Sequence, residues 1–151
     1  MSSPDPGAIE VSGVSKTFEL PGGPLEALTK VSFSVEADEF VTIIGPSGCG
    51  KSTLLRILAD IYKPTSGEVT IGGQSPREAR RRRELGVVFQ DPTLFPWRDV
   101  LGNVLLPLKL AGRLNSDTRA EARALLELVG LSGFEKARPN QLSGGMKQRA
   151  A

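Results

Sequence analysis

The chain reads Gly45-Pro46-Ser47-Gly48-Cys49-Gly50-Lys51-Ser52-Thr53 directly after the apolar run Phe40-Val41-Thr42-Ile43-Ile44. Glycines at the first and sixth positions, followed by Lys51 and Ser52, match the phosphate-binding loop pattern in full. Gly48 and Gly50 allow backbone conformations that are closed to residues with a Cβ, so successive N–H groups can turn inward around phosphate oxygens. The loop therefore predicts a nucleoside triphosphate site.

The residues that surround this loop strengthen the prediction. Lys51 places a compact positive charge between the terminal phosphates, and the Ser52 hydroxyl is suited to coordinate Mg²⁺. The helix that Ser52 starts adds a partial positive charge behind the phosphates. The β-branched residues of 40–44 predict a buried strand before the loop. Apolar residues follow at helical spacing, namely Leu54, Ile57, Leu58 and Ile61. The alternative is a glycine-rich turn without a ligand.

Composition excludes several classes of chemistry. The chain has 151 residues, a net charge of +2 and no histidine, so histidine-based general base catalysis, histidine metal sites and serine–histidine hydrolysis are excluded. Cys49 is the single cysteine, which excludes an internal disulfide and favours a reducing cytoplasm. No stretch approaches the ~18 consecutive apolar residues that a membrane span needs, and no signal peptide is predicted.

A run of arginines lies just past the middle of the chain, at Arg77, Arg80, Arg81, Arg82 and Arg83. Such a run could contact nucleic acid or phospholipid. It lies beside acidic residues and has no interleaved aromatic, which favours a solvated helix face. No nucleic-acid partner is predicted.

The first half of the chain is predicted to be rich in strands. Alternating apolar residues predict strands at 9–14 and 31–35, with a turn at 21–24. The other predicted elements are a strand at 68–71, a helix at 76–84 and a buried strand at 85–89. We expect residues 1–8 to form a flexible tail.

The second half is predicted to be helical after a loop at 91–98. Residues 100–110 favour a helix that Pro107 kinks or ends. Residues 116–129 predict an amphipathic helix with a capping box at Thr118 and Glu121 and a stop at Gly130. The predicted organisation is therefore a tail at 1–8, a core subdomain at 9–90 and a helical subdomain at 91–151.

A second motif stands near the end of the chain, Leu142-Ser143-Gly144-Gly145-Met146-Lys147-Gln148-Arg149. Taken alone it is a capped helix N-terminus, with Ser143 as the N-cap and N–H groups that can bind an anion. With the phosphate loop, a strand-terminal Gln90 and the helical segment in this order, the chain from Ile9 onward resembles the ATP-binding subunit of ABC transporters.

The resemblance implies an α/β fold, the P-loop NTPase nucleotide-binding domain of the ABC type. It implies that Gly45 to Ser52 are the Walker A motif that binds ATP, with Thr53 within reach of the phosphates. Gln90 resembles the Q-loop glutamine that senses Mg²⁺ and the attacking water. Phe18 stands where the family carries an aromatic that stacks on adenine, and this role is favoured over that of a core or strand-edge aromatic. The implied catalytic residues are Lys51 and Gln90, and the implied Mg²⁺ ligands are Ser52 and Gln90.

The resemblance also implies two protein partners. Ser143, Gly144 and Gly145 resemble the signature motif, which faces the γ-phosphate on a second ATP-binding subunit in a head-to-tail dimer. The helical region docks a transmembrane permease subunit in this family, and an apolar cluster is suited to that role, namely Leu94, Phe95, Pro96 and Trp97. These four residues could instead pack inside the helical subdomain. The implied location is the cytoplasmic face of the membrane, and the segment 89–104 most resembles importers of the nitrate, sulfonate and taurine group.

The sequence stops at Ala151, where the family pattern continues. The Walker B strand, the catalytic glutamate and the switch histidine are absent, so the domain is expected to be incomplete. In the family the missing strand lies beside the phosphate-loop strand, and we expect its absence to leave 41–44 at an unpaired edge. The chain is therefore predicted to be poorly stable alone, or a fragment. Soluble, monomeric expression with a sharp cooperative unfolding transition would contradict this prediction.

Three functions remain open at this point. The first is an ABC-type ATPase subunit that drives import of a small solute. The second is a catalytically inactive nucleotide-binding fragment. The third, a soluble ABC protein of translation or DNA repair, is disfavoured because no second unit and no coiled-coil insert is present.

Overall fold

A computed structural model describes residues 7–151, which form two compact units that meet in sequence at Val87 and Val88. Most of the predicted tail at 1–8 lies outside the described residues. Ala8 is held in place, because its carbonyl accepts a hydrogen bond from Gly72 N (2.7 Å).

The first unit contains a three-stranded antiparallel sheet of strands β1 (Ile9–Leu20), β2 (Gly23–Val35) and β3 (Ser66–Ile71). The strand order is β2-β1-β3. A tight turn joins the first two strands, where Leu20 pairs with Gly23. The predicted strands and turn are confirmed, and each strand is longer than its apolar alternation indicated, because cross-strand hydrogen bonds continue through polar residues.

Helix α1 (Lys51–Leu58) closes the core of the first unit. Its Leu54 and Ile57 are buried against a cluster that includes Val11, Val14, Leu28 and Val69. The helix ends before the predicted apolar stripe does. Ile61 lies beyond it and is 48% exposed, and Asp60 with φ 54° turns the chain away.

Two predicted strands do not form, at 40–44 and 85–89. Both segments contain β-branched residues that favour strands, yet no strand within residues 7–151 pairs with either of them. Their apolar side chains are exposed instead, Phe40 by 92%, Ile44 by 90% and Val88 by 79%. Strand propensity depends on burial and pairing, so the prediction from local composition is wrong for both segments.

Helix α2 (Pro76–Arg82) begins with a capping box between Ser75 and Glu78. Hydrogen bonds from the Ser75 hydroxyl and backbone N–H lower the pKa of Glu78, and the nearby Arg82 adds to this effect. The helix is shorter than predicted because Arg83 adopts a left-handed conformation (φ 62°). Arg80 pairs with Asp60 (2.9 Å), and the arginine face is exposed, as predicted.

The second unit is helical and contains α3 (Val100–Val104), α4 (Leu106–Leu110), α5 (Ser116–Leu128), a 3₁₀ turn (Pro139–Gln141) and α6 (Gly144–Ala150). Its core contains Val100, Leu126, Leu131, Leu142 and Ala150. The break between α3 and α4 confirms the effect predicted for Pro107, which lies in the first turn of α4.

The predicted capping box of α5 is wrong by one turn. Asn115 is the N-cap, and its Oδ1 accepts a hydrogen bond from Thr118 N (2.8 Å). In return, Thr118 Oγ1 accepts one from Asn115 N (2.9 Å). Asparagine is a strong N-cap, and a threonine replaces the usual glutamate at the third helical position.

Candidate nucleotide-binding site

The phosphate loop has the backbone conformation that its glycines predicted. Gly48 has φ 80° and Gly50 has φ 95°, both in the region that favours glycine. Helix α1 begins at Lys51, with Gly50 as its N-cap, and Leu54 N donates to Gly50 O (2.9 Å). The loop therefore leads into a helix N-terminus, where the first N–H groups and the helix dipole favour an anion.

Gly50 also allows a close approach between the loop and strand β2. A Cβ built on Gly50 would lie 2.4 Å from Ala27 O and 2.7 Å from Leu28 Cδ2. These separations are far shorter than van der Waals contacts, and one involves the backbone. The loop is thus held against the sheet at a point where only glycine fits.

Lys51 is half-buried and its ammonium lies within the loop. Nζ donates hydrogen bonds to Gly45 O (2.7 Å) and Pro46 O (2.7 Å) and lies 3.6 Å from Cys49 Sγ. A positive charge is therefore concentrated where the loop meets the helix N-terminus. This arrangement can bind an oxyanion through the ammonium and the backbone N–H groups together.

Two hydroxyl residues follow Lys51 in the first turn of α1. Ser52 is exposed, whereas Thr53 is half-buried. An exposed serine hydroxyl is an available oxygen ligand for Mg²⁺, a cation that prefers oxygen ligands and retains several waters. The residues present therefore fit both a phosphate chain and its magnesium ion.

Phe18 lies on β1 close to the hairpin turn and is half-buried. Its ring meets Tyr62 edge-on, with centroids 5.4 Å apart and planes at 77°. Lys16 Nζ lies 5.0 Å from the ring centroid, over the ring. Stacking of Phe18 on adenine stays a prediction.

Ser143, Gly144 and Gly145 belong to the second unit and are exposed. Ser143 is the N-cap of α6, and its Oγ accepts a hydrogen bond from Met146 N (3.3 Å), as predicted. Gln90 is exposed, and its carbonyl accepts a hydrogen bond from Gln148 Nε2 (3.1 Å). Gln148 thus ties Gln90 to the helix that Ser143 caps. No sequence pattern predicted this long-range contact.

The apolar cluster at 94–97 divides into an inner and an outer part. Leu94 packs against the core of the second unit. Phe95 and Trp97 are 40% and 67% exposed, with ring centroids 5.1 Å apart and planes at 52°. Packing inside the unit and exposure at its surface are therefore both present, on different residues.

A model of the family described as ABC transporter matches residues 28–151, well over half of the chain. This chain belongs to the ABC transporter family. The match includes the phosphate loop, Gln90 and residues 143–145. The predicted fold class is confirmed by a solved structure, a dimeric ATP-binding cassette in a post-hydrolysis state bound to ADP and Pi. It shares 37% identity with this chain at a TM-score of 0.84, covering 94% of this chain and 66% of that one.

Two curated relatives illustrate the likeness in sequence. An uncharacterised ABC transporter ATP-binding protein of Methanocaldococcus jannaschii is 46% identical over 95% of this chain and 53% of its own length. A nitrate import ATP-binding protein of Synechococcus elongatus is 44% identical over 96% of this chain and 53% of its own length. This ABC transporter chain thus spans about half the length of the curated relatives it matches.

Similarity does not single out one transported solute. Relatives of this ABC transporter chain at 40% to 46% identity are named for import of aliphatic sulfonates, methionine and spermidine or putrescine.

Within residues 7–151, no helix has the length and apolar character needed to cross a membrane.

Proposed function

We propose that this chain is the ATP-binding portion of an ABC importer subunit. The observation that carries the proposal is the loop at 45–50, whose left-handed glycines lead into α1 with the Lys51 ammonium held inside it. Calorimetric titration of the 151-residue chain with Mg-ATP tests this proposal. Saturable binding supports it, and the absence of binding contradicts it.

The proposed ATP ligands are the residues of the loop and the first turn of α1. Lys51 binds the terminal phosphates, and the exposed Ser52 hydroxyl is a ligand of Mg²⁺, which neutralises phosphate charge when it is bound. The backbone N–H groups of the loop surround the phosphate chain. Phe18 is proposed to contact adenine through a face of its ring that Lys16 does not cover.

We propose that this site is one half of a composite site. The N-cap of α6 is exposed, and Ser143 with Gly144 and Gly145 is proposed to face the γ-phosphate bound by a second ATP-binding subunit. Gln90 is proposed to complete the Mg²⁺ shell and to sense the attacking water. The dimeric state of the solved relative supports this arrangement.

A second candidate is a nucleotide-binding fragment that does not hydrolyse ATP. The exposed apolar residues Phe40 and Ile44 favour it, because the segment that enters the loop pairs with no strand within residues 7–151. Phosphate release from Mg-ATP separates the two candidates. Release by the 151-residue chain supports the ATPase, whereas binding without release supports the fragment.

We propose that a transmembrane permease subunit contacts Phe95 and Trp97, with Leu94 anchoring the surface and Pro96 between the two aromatic residues in sequence. This would place the chain peripherally on the inner face of the membrane. Exposed aromatic residues are typical anchors of protein interfaces. Import of a nitrate-, sulfonate- or taurine-like solute is the proposed activity of the whole assembly, supported by the named relatives of the first two types.

Trp97→Ala is expected to weaken binding of the permease subunit by about 2 kcal/mol, the level of an interface hot spot, or roughly 30-fold in Kd. Leu128→Ala is the matched control, since Leu128 is an 80% exposed apolar residue on α5. Binding is measured by titrating the chain onto the permease subunit in detergent. Equal effects of the two substitutions would contradict the docking proposal.

A further inference from the structure

Asn103 is the one polar residue that is buried in the described part of the chain, with 8% of its surface exposed. It lies on α3 among apolar residues and has no charge to offer a ligand. Most buried polar side chains in proteins are hydrogen-bonded, because an unpaired polar group is costly to bury. The partners of this side chain therefore indicate what it does.

All of its hydrogen bonds go to the backbone of the loop that precedes α3. Oδ1 accepts from Phe95 N (2.7 Å), and Nδ2 donates to Phe95 O (3.2 Å). Nδ2 also donates to Arg98 O (3.3 Å) and Asp99 O (2.9 Å). The carboxamide thus pairs with the backbone N–H and C=O of Phe95, as a neighbouring strand would. It also binds the backbone carbonyls of Arg98 and Asp99 at the end of the loop.

The helix that carries Asn103 is itself fixed at its N-terminus. Val100 N donates to Ala137 O (2.9 Å), and Leu101 N donates to Glu135 O (3.0 Å). Gly102 N donates to the N-cap side chain, Asp99 Oδ1 (2.7 Å). The first turn of α3 is thus hydrogen-bonded to residues outside the helix, and Asn103 connects this turn to the backbone of the loop.

We propose that Asn103 is a positioning residue that holds Phe95 and Trp97 in a preformed arrangement for the permease subunit. This inference rests on the docking surface proposed above. The two aromatic rings are exposed and contact each other, so their own packing cannot fix the loop. Preformed loops bind more tightly because less conformational freedom is lost on association.

Trp97 is the single tryptophan, and its near-UV circular dichroism and fluorescence anisotropy report directly on this loop. In the full chain, Asn103→Ala is expected to abolish the near-UV tryptophan signal and to lower the anisotropy, because Phe95 N and Arg98 O lose the side-chain partner that holds them. Asn115→Ala is the matched control. It removes an asparagine that caps α5 in the same unit, and the Trp97 signals are expected to stay unchanged.

Unchanged Trp97 signals in Asn103→Ala, or an equal loss in Asn115→Ala, would overturn the inference. If far-UV circular dichroism shows that Asn103→Ala is unfolded, Asn103→Asp replaces it. Its carboxylate keeps an acceptor for Phe95 N, and on acidification the protonated carboxyl regains a donor. A tryptophan signal that is reduced at neutral pH and recovers as the pH falls supports positioning, whereas a wild-type signal at neutral pH overturns it.

The test distinguishes this inference from the docking proposal. Loss of the Trp97 signal in Asn103→Ala establishes positioning of the loop without any partner. If Trp97→Ala then leaves permease binding unchanged, the docking proposal fails. If Trp97→Ala weakens binding but the Trp97 signal does not depend on Asn103, only the role of Asn103 fails.

Discussion

Replacing Lys51 by alanine is expected to weaken Mg-ATP binding by about 2 kcal/mol, the net value of hydrogen bonds to a charged group, or roughly 30-fold in Kd. The reason is electrostatic, since the ammonium lies inside the loop, 2.7 Å from Gly45 O and Pro46 O. It is therefore the fixed positive charge nearest to any phosphate that the loop binds. Isothermal titration calorimetry of both proteins measures the change.

Lys63→Ala is the control for the loss of one positive charge. Lys63 is an exposed lysine of the same unit that lies after α1, so its removal changes the net charge equally without changing the loop. We expect its Kd for Mg-ATP to match the wild type. If both substitutions weaken binding equally, Lys51 acts only through net charge, and its assigned role is wrong.

Gly50→Ala is expected to destabilise the first unit by about 2–4 kcal/mol and to abolish measurable Mg-ATP binding. The cost has two sources, because alanine is strained in a left-handed conformation and its Cβ overpacks the site. The added Cβ would meet Ala27 O at 2.4 Å, and a backbone carbonyl on β2 cannot move aside as a flexible side chain can. The loop must shift away from the sheet, which also displaces the start of α1. Urea unfolding and ATP titration measure the two effects.

Gly13→Ala separates strain from collision. Gly13 also has a positive φ of 58° in the first unit, but a Cβ there meets no atom within 4 Å. We expect a loss of stability from backbone strain alone, about 1 kcal/mol, and we expect ATP binding to be retained. If Gly50→Ala costs no more than Gly13→Ala, the close approach of the loop to β2 does not constrain the site.

The features that the sequence predicted well are set by local chemistry. The positive φ values at Gly48 and Gly50, the N-cap Ser143 and the break near Pro107 each follow from one residue type and its nearest neighbours. The α5 cap shows the limit of such inference. Thr118 and Glu121 matched the usual pattern, yet Asn115 is the stronger cap one turn earlier.

The features that the sequence did not predict depend on distant parts of the chain. Segments 40–44 and 85–89 have strand-like composition, but a strand also needs a hydrogen-bonded neighbour, and none is described. The Gln148 contact with Gln90 spans 58 residues. Asn103 lies within an apolar helical segment, where a single polar residue gives no sign that four hydrogen bonds converge on it.

We propose that the loop at 45–53 binds ATP through its phosphates. Titration of the 151-residue chain with Mg-ATP and, separately, with adenosine tests this claim. The Lys51 ammonium and the α1 N-terminus predict saturable binding of Mg-ATP and far weaker binding of adenosine. Adenosine that binds as tightly as Mg-ATP, or Mg-ATP that does not bind, would contradict the claim.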